Sequence, residues 1–356
     1  LVSGFYPNRI PNPDLKWEKT GQFDIGFDLG LFNNRLRLTA DYYYKKTTDL
    51  LYNVAIPSAS GYDSMLKNIG SVQNKGYELS IESDNLSGAF SWTTAFNISF
   101  NRNKVLELGG ETYKDVGTYD DHLKTSDIRR LIVGQPIGVF YGYRFDGIFQ
   151  NEAECAQQTS SPSPIGVGLR RYKDLNGDGK IDATNDREIL GDANPKFFGG
   201  MTNTFAYKGF ELNVFLQYSY GNKIFNYNAM ELESPTGGQN VYQDLVNRWT
   251  PTNPSNEYQK ATTNRNNIVS DRFIEDGSFL KLKTVSLSYS FPKLNWKHIG
   301  GLRLYVTGQN LLTWTKYRGY DPEVSYRGAS TLEAGEDFGG YPQARTFMFG
   351  IKLDIK

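Results

Sequence analysis

The chain has 356 residues, with 39 Lys and Arg against 39 Asp and Glu, so its formal net charge is zero. That balance leaves no basic footprint for nucleic acid. Mean hydropathy is −0.53, no apolar run of about 18 residues exists for a membrane-crossing helix, and a single Cys155 excludes an intrachain disulfide framework.

Residues 1–16 read as an extended Pro/Asn segment (Pro7, Pro11, Pro13). A strand is predicted over 17–31, where Phe23, Ile25, Phe27, Leu29 and Leu31 alternate with Asp24, Gly26, Asp28 and Gly30. A tight turn at Phe32-Asn33-Asn34 leads to a strand over 35–47 with Leu36, Leu38, Ala40, Tyr42 and Tyr44 on one face. After a long loop over 48–75, a strand at 76–83 (Tyr77, Leu79, Ile81) turns through Asp84 to Gly88. The next strand, 89–100, alternates Phe90, Trp92, Thr94, Phe96, Ile98 and Phe100 with polar or small residues.

A second long segment covers 101–126. Ile128 to Val133 is apolar apart from Arg129 and Arg130, and 126–133 is read as a strand turning at Gly134-Gln135-Pro136 into another over 137–149 (Ile137, Val139, Tyr141, Tyr143, Phe145). A loop over 150–196 follows, Ser/Pro-rich at 159–164. Strands at 197–207 and 210–220 are joined by Lys208-Gly209, a two-residue hairpin with Gly where positive φ is needed. The longest loop, 221–278, carries a short helix expected over 244–249. Leu280 and Leu282 sit on the wrong parity for Val285 and Leu287 in strand 279–291, which predicts a bulge near Thr284. A turn at 292–301, a strand at 302–310, a loop at 311–344 and a strand at 345–355 finish the chain.

Six of these strands place 31 residues on the apolar face, none charged, in a chain that is 22% charged and would put about seven there at random. A charge facing lipid at the bilayer midplane costs ~2–4 kcal/mol, a reason for a clean face. The strands run roughly ten residues, the tilted length that crosses a membrane. Hydropathy misses such strands because only alternate residues meet lipid, and the 14% aromatic content suits girdles at two interfaces. Short and long connections alternate, as in outer-membrane barrels. The expected fold is therefore all-β: about eleven strands of an antiparallel transmembrane β-barrel with long external loops. An odd count predicts at least one strand before Leu1, since single-chain bacterial barrels have even numbers and an open edge in lipid is not viable. No signal peptide is present and Leu1 is not an initiator, which reads as a processed N-terminus or part of a longer chain.

The strongest local motif is Asp174-Leu175-Asn176-Gly177-Asp178-Gly179-Lys180-Ile181-Asp182. Oxygen ligands at positions 1, 3, 5 and 9, Gly at 6 and an apolar residue at 8 match an EF-hand-type calcium loop without its helices. Asp174, Asn176, Asp178, Asp182 and the backbone carbonyl of Lys180 are the expected ligands. Position 12 is Asn185, so Asp186, one residue later, is the expected closing acid. Bound Ca2+ would stiffen the loop; the alternative is a metal-free Asx-rich turn. His122 and His298 have no metal or triad spacing and read as surface histidines. Asp120/Asp121 and Glu275/Asp276 are chance acid pairs rather than a glycosidase couple. Tyr227, Tyr242 and Trp249 either stack on sugars or pack their loop.

The phrases Asn12-Pro13-Asp14-Leu15-Lys16-Trp17-Glu18-Lys19-Thr20, Asn68 through Leu79, Gly134-Gln135-Pro136-Ile137-Gly138 with Tyr141-Gly142-Tyr143, Tyr172 through Asp182, Gly191 through Phe197, Gly308-Gln309-Asn310-Leu311 and Pro342 to Gly350 together resemble the SusC/RagA family of TonB-dependent outer-membrane transporters. The similarity runs nearly the whole chain and matches the C-terminal half of that barrel. It implies 22 strands around an N-terminal plug, a SusD-like surface lipoprotein as lid, TonB as energy source, outer-membrane lipid as surroundings, and an oligosaccharide, glycan or peptide as cargo. It also implies that 1–356 is wall alone, with plug, TonB box and first barrel half absent, and no enzyme. Two other readings compete. A soluble cell-surface carbohydrate-binding β-protein would bury the apolar face in a dry core. A secreted glycoside hydrolase would need two acids across a cleft.

Overall fold

Alternating side chains fix two faces, and register decides whether neighbouring strands agree on which face is which. The computed structural model describes residues 9–62, 64–117, 128–234, 240–263, 267–291, 299–323, 325–328 and 330–355, and among them nine strands agree. They are β1 (Lys19–Leu31), β2 (Leu36–Thr48), β3 (Ser71–Leu86), β4 (Phe90–Glu107), β5 (Phe197–Tyr207), β6 (Phe210–Tyr220), β7 (Phe279–Ser290), β8 (Ile299–Thr315) and β9 (Thr346–Ile355). They pair antiparallel in chain order as one sheet. One row of register partners runs Leu29, Leu38, Ile81, Phe96, Met201, Leu216, Leu282, Leu312. The row beside it, on the other face, runs Asp28, Thr39, Ser80, Asn97, Gly200, Gln217, Lys281, Thr313. A one-residue slip anywhere would mix the two rows.

The turns follow local chemistry. Phe32, Asn33 and Asn34 all take positive φ between β1 and β2, which asparagine tolerates better than most residues. Lys208 (φ 47°) and Gly209 (φ 89°) form the expected two-residue hairpin between β5 and β6. The bulge falls at Lys283, one residue from its expected place. There the ladder skips a residue against both β6 and β8, returning Leu280 and Leu282 to the face of Val285 and Leu287. The expected 292–301 turn lies largely outside the described residues, but the Phe291 N–H donates to the Leu302 carbonyl at 2.9 Å and closes that hairpin. Strands β3, β4 and β8 are longer than read, 16, 18 and 17 residues. The additional ends of β3 and β4 carry polar residues on both parities, as in Gln73↔Lys104, Asn74↔Asn103 and Lys75↔Arg102, whereas β8 is extended through Leu312 and Trp314 of the apolar row.

The antiparallel all-β wall stands, but among the described residues it has nine strands, not eleven. Arg129–Ile132 pairs with Tyr113–Val116 and with Val139–Tyr143, which pairs with Arg187–Asp192. That four-stranded sheet is separate from the wall, and β4 pairs directly with β5 across the 108–196 connection. The reason is visible in the side chains. Arg129 and Arg130 point to opposite sides, so a membrane-crossing strand would put one guanidinium into lipid. Instead both are buried, along with Leu131, Val139 and Phe140.

The long connections thus carry their own structure. Leu51–Ala55 and Ser64–Asn68 form a hairpin, joined by Arg9–Ile10. Phe145–Ile148 pairs with Arg170–Tyr172. Lys223–Asn226 lies between Ile274–Asp276 and Glu336–Asp337. A 3-10 turn over Gln243–Asn247 stands where the short helix was expected. The main hydrophobic core is in this layer: Ile128, Phe140, Phe225, Tyr227, Ala229, Met230, Val269 and Phe273.

Candidate functional site

The wall's two faces form the first part of the site. None of the 31 apolar-face residues is buried, and the core lies elsewhere, so Phe23, Leu38, Phe96 and Val214 share no dry interior. Phe23 is 57% and Phe349 83% exposed. The soluble-lectin reading needs this face covered and is not met. Aromatic rings gather at two levels. Toward the short turns, Phe90 and Trp92 meet Phe205 at 6.4 and 5.7 Å, and Phe210 meets Tyr289 at 4.5 Å. Toward the long connections, Tyr42 meets Tyr77 at 4.9 Å and Phe197 meets Phe100 and Tyr220 at 5.8 and 5.0 Å. Phe210 and Tyr220 are ten residues apart on β6. At ~3.4 Å per residue and ~40° tilt the levels stand roughly 25 Å apart, the height of an outer-membrane apolar band.

The opposite face is wet and hydrogen-bonded. The Arg37 guanidinium pairs with Glu82 at 3.0 Å and Asp84 at 3.4 Å, Thr39 donates to Asp28 at 2.6 Å, and Tyr43 donates to Asn101 at 3.0 Å. Near the long connections this face receives the 316–345 segment. Lys281 of β7, 1% exposed, meets Asp321 at 3.1 Å and also Glu323. Lys283, aimed there by the bulge, reaches Glu323 at 3.2 Å, and Gln217 Nε2 donates to Glu323 at 3.0 Å. Burial pushes the Asp321 carboxyl upward, but the N–H groups of Glu323 and Gln343 and the Lys281 ammonium outweigh it and hold it below its ordinary value.

Further along, the same segment is fixed by buried charge. Arg129 donates to Glu336 at 3.0 Å and to the carbonyls of Gly138 (2.6 Å) and Ala334, with its guanidinium over Phe140 at 4.2 Å. Tyr317 donates to Asp337 at 2.5 Å. Glu233 sits among Arg272 (2.7 Å), Arg318 (3.2 Å) and Arg170 (3.9 Å). A buried carboxylate needs such partners. Sequence reading noted Arg129 only as a break in an apolar run and named none of these pairs, because the partners lie up to 207 residues apart.

The 174–186 loop is shaped by hydrogen bonds from its own side chains to its backbone. Asp174 accepts from the N–H groups of Gly177 and Gly179, both at 2.7 Å, and Asp178 from that of Lys180 at 2.8 Å. The Asn176 amide donates to Asp178 at 3.0 Å. Asp182 accepts from Thr184 and Asn185 at 2.8 and 2.9 Å. Asp186 is fully buried and caps the N–H groups of Leu175 and Asp182, each at 2.8 Å. It closes the turn by holding backbone N–H groups, whereas the sequence reading expected it as a closing metal ligand. The bond from the Gly179 N–H holds Asp174, and that from Asn185 holds Asp182, below their ordinary range. The donor set is all oxygen, which suits a hard cation. Among the described residues, however, no group of three acidic, histidine or cysteine side chains converges as a metal site.

The remaining candidates do not gather into a site. His122, His298, Asp120 and Asp121 lie outside the described residues. Glu275 is held by Arg318 at 2.9 Å and Asp276 by the Ser278 hydroxyl at 2.6 Å. Tyr227 is buried in the core, Tyr242 packs against it, and Trp249 donates to Gln150 at 3.1 Å.

Comparison with known proteins gives a consistent picture. Residues 2–151 match the family described as TonB dependent receptor-like, beta-barrel. TonB-dependent receptor P3 of Formosa agariphila is 41% identical over 99% of this chain and 36% of its own length. TonB-dependent receptor SusC of Bacteroides thetaiotaomicron is 29% identical over 97% of this chain and 32% of its length. The solved RagAB peptide transporter superposes with a TM-score of 0.78 at 27% identity, covering 97% of this chain and 36% of that one. The chain spans about a third of the length of the curated relatives it matches.

Proposed function

We infer that the chain belongs to the TonB-dependent receptor β-barrel family, of the SusC/RagA kind, that it resides in the outer membrane, and that its strands form part of the wall of an energised nutrient importer. The observation that carries this reading is the single apolar row crossing all the strands from β1 to β8 with a polar row behind it. Such a wall separates acyl chains from a wet passage. The family is one of transporters and not of enzymes. The sheet is open at β1 and β9, and the relatives are about three times longer. Both facts support reading 1–356 as the C-terminal part of a larger barrel, with plug and TonB contact supplied by other residues of the receptor. The cargo is a glycan, oligosaccharide or peptide, captured under a SusD-like lipoprotein on the long-connection side. Deleting the gene from its host and supplying single oligosaccharides or peptides as nutrient tests this. Uptake of one class is lost and returns on complementation; unchanged uptake of every class refutes it.

The 174–186 loop is proposed to take Ca2+ through Asp174, Asn176, Asp178, the Lys180 carbonyl and Asp182, with Asp186 as closing acid, stiffening the 150–196 connection. Its support is the ligand spacing and the all-oxygen donor set. Asp178→Ala in the full-length receptor lowers calcium affinity about tenfold or more in a calorimetric titration, without loss of strand signal. An unchanged titration removes the metal.

A further inference from the structure

On β2–β4 the aromatic level toward the long connections is the row Tyr42, Tyr77 and Phe100. The next row outward on the same, lipid-facing parity is Phe23, Tyr44, Lys75 and Arg102, and the one after it is Gly21, Lys46, Gln73 and Lys104. Lys46, Lys75, Arg102 and Lys104 are all exposed, and none pairs with a carboxylate among the described residues. On these strands the first acid on that side comes one row further out, where Glu107 pairs with Ser71.

Spacing sets the depth of these cations. Successive residues on one face lie ~6.8 Å apart along a strand, which at ~40° tilt is about 5 Å of height. Lys75 and Arg102 therefore stand about 5 Å beyond the ring level and Lys46 and Lys104 about 10 Å. The polar layers of a bilayer add about 5–7 Å to each side of its hydrocarbon, so the flexible ends of these side chains reach the headgroups. Neighbouring strands are ~4.8 Å apart, and the four Cα positions fall in a patch of roughly 7 by 10 Å. Arg102 is also oriented. Its Nη1 donates to the carbonyls of Asn101 and Lys196 at 2.8 and 2.9 Å, which pins the guanidinium at the seam of β4 and β5.

A merely solvated rim mixes signs and treats both ends of the wall alike. Here the lipid side of the short turns is flanked by Leu31, Leu36, Phe90, Tyr207 and Phe210, and the opposite ends of β5 and β6 are Phe197 and Tyr220. Positive charge is thus confined to β2–β4 and to the long-connection end, which in outer-membrane barrels meets the outer leaflet. A zwitterionic phospholipid brings its own ammonium into this field. A phosphorylated glycolipid of the lipid A type brings phosphates and hydroxyls without a cation.

We propose that the patch binds the phosphates of such a glycolipid, with its acyl chains lying along Tyr42, Tyr77 and Phe100. Arg102 offers a planar fork to phosphate and the three lysines act as point charges. The site rests on the lipid-facing assignment of the wall and assigns a lipid ligand apart from the cargo.

The test titrates full-length receptor in detergent micelles with diphosphoryl lipid A, followed by native mass spectrometry. Dephosphorylated lipid A, phosphatidylethanolamine and inorganic phosphate are the controls. Diphosphoryl lipid A binds at least tenfold tighter than either control lipid, and Lys75→Gln/Arg102→Gln weakens it about tenfold. Lys46→Gln weakens it severalfold, while Lys45→Gln, its neighbour on the opposite face, changes nothing. All four positions are exposed, so the variants fold. The proposal is overturned when a control lipid binds as tightly, when the double variant binds unchanged, when Lys45→Gln costs as much as Lys46→Gln, or when inorganic phosphate at equal concentration displaces the lipid. Receptor that enters phospholipid vesicles with its strand signal intact yet ignores lipid A loses this site and keeps its wall; receptor that stays outside the vesicles loses both.

Discussion

An arginine placed at Met201 and an arginine placed at Thr202 differ by one residue and by the whole thickness of the wall. Met201 lies on the apolar row between Phe96 and Leu216; Thr202 lies on the polar face between Ala95 and Phe215. Along β5, Met201 is four residues from Phe197 of one aromatic level and four from Phe205 of the other. Each interval is roughly 13 Å of strand, so Met201 sits near the middle of the apolar band. A guanidinium there costs ~2–4 kcal/mol in a bilayer, and 3 kcal/mol is over a hundredfold in the folding equilibrium by the ~1.4 kcal/mol-per-decade rule. Thr202→Arg faces water and stays within ~0.5 kcal/mol. Tyr207→Arg, at the aromatic level, falls between them at about 1 kcal/mol or less from its depth. The assay is reversible unfolding of the full-length receptor in phospholipid vesicles, followed by tryptophan fluorescence against guanidinium chloride. Equal penalties at 201 and 202, or a penalty at 207 as large as at 201, refute the lipid-facing assignment. A dry protein core punishes Met201→Arg too, but it has no reason to grade the cost by distance from the girdles.

Two further outcomes concern the layer above the wall. Lys281→Met leaves Asp321 and part of Glu323 without their buried cation, which costs ~3 kcal/mol when a buried pair is broken. Hydrogen exchange across 316–345 rises sharply while the strand signal stays, because Lys283 still holds Glu323; unchanged protection counts against the buried anchor. The second outcome is a pH window in the metal-free receptor. Asp174 and Asp182 are held below their ordinary value of 3.8 by backbone N–H donors. A depressed carboxyl contributes fully above its unfolded value and loses that contribution as pH falls through the folded one. Exchange protection of the 174–186 loop is therefore flat from neutral pH to about pH 4 and fails only below it. Loss of protection near pH 6 contradicts the hydrogen bonding of these two side chains.

How far the sequence could be read depends on the range of the interaction that writes each feature. Alternation is a nearest-neighbour property, and it fixed the faces of β1, β2, β4, β6, β7 and β9 correctly. The bulge at Lys283 was legible for the same reason, as a parity error between Leu282 and Val285. Strand ends were not. Apolar alternation stops at the membrane boundary, but backbone pairing continues past it through Gln73, Asn74 and Lys75 against Lys104, Asn103 and Arg102. The pattern marks lipid and not hydrogen bonds. The hydrogen bonds inside the 174–186 loop span at most eleven residues, but its Gly179 and Ile181 also pair with Thr159 and Ser160 of the preceding segment.

The error at 126–149 was a different kind, since the signal that forbids a wall strand was present and was outweighed by the apolar run. Two consecutive arginines cannot share a polar face, and a lipid-facing strand has only one polar face. Applied strictly, that rule removes 126–133 from the wall, and the 137–149 strand that pairs with it goes with it. What no local rule supplies is the destination. Arg129 is satisfied by Glu336 and Ala334, two hundred residues later, and Lys281 by a segment forty residues beyond it. These pairs decide where the 316–345 segment lies against the polar face. The membrane writes its requirement on every second residue, whereas the passage is shaped by a few buried charges whose partners only the folded chain brings together.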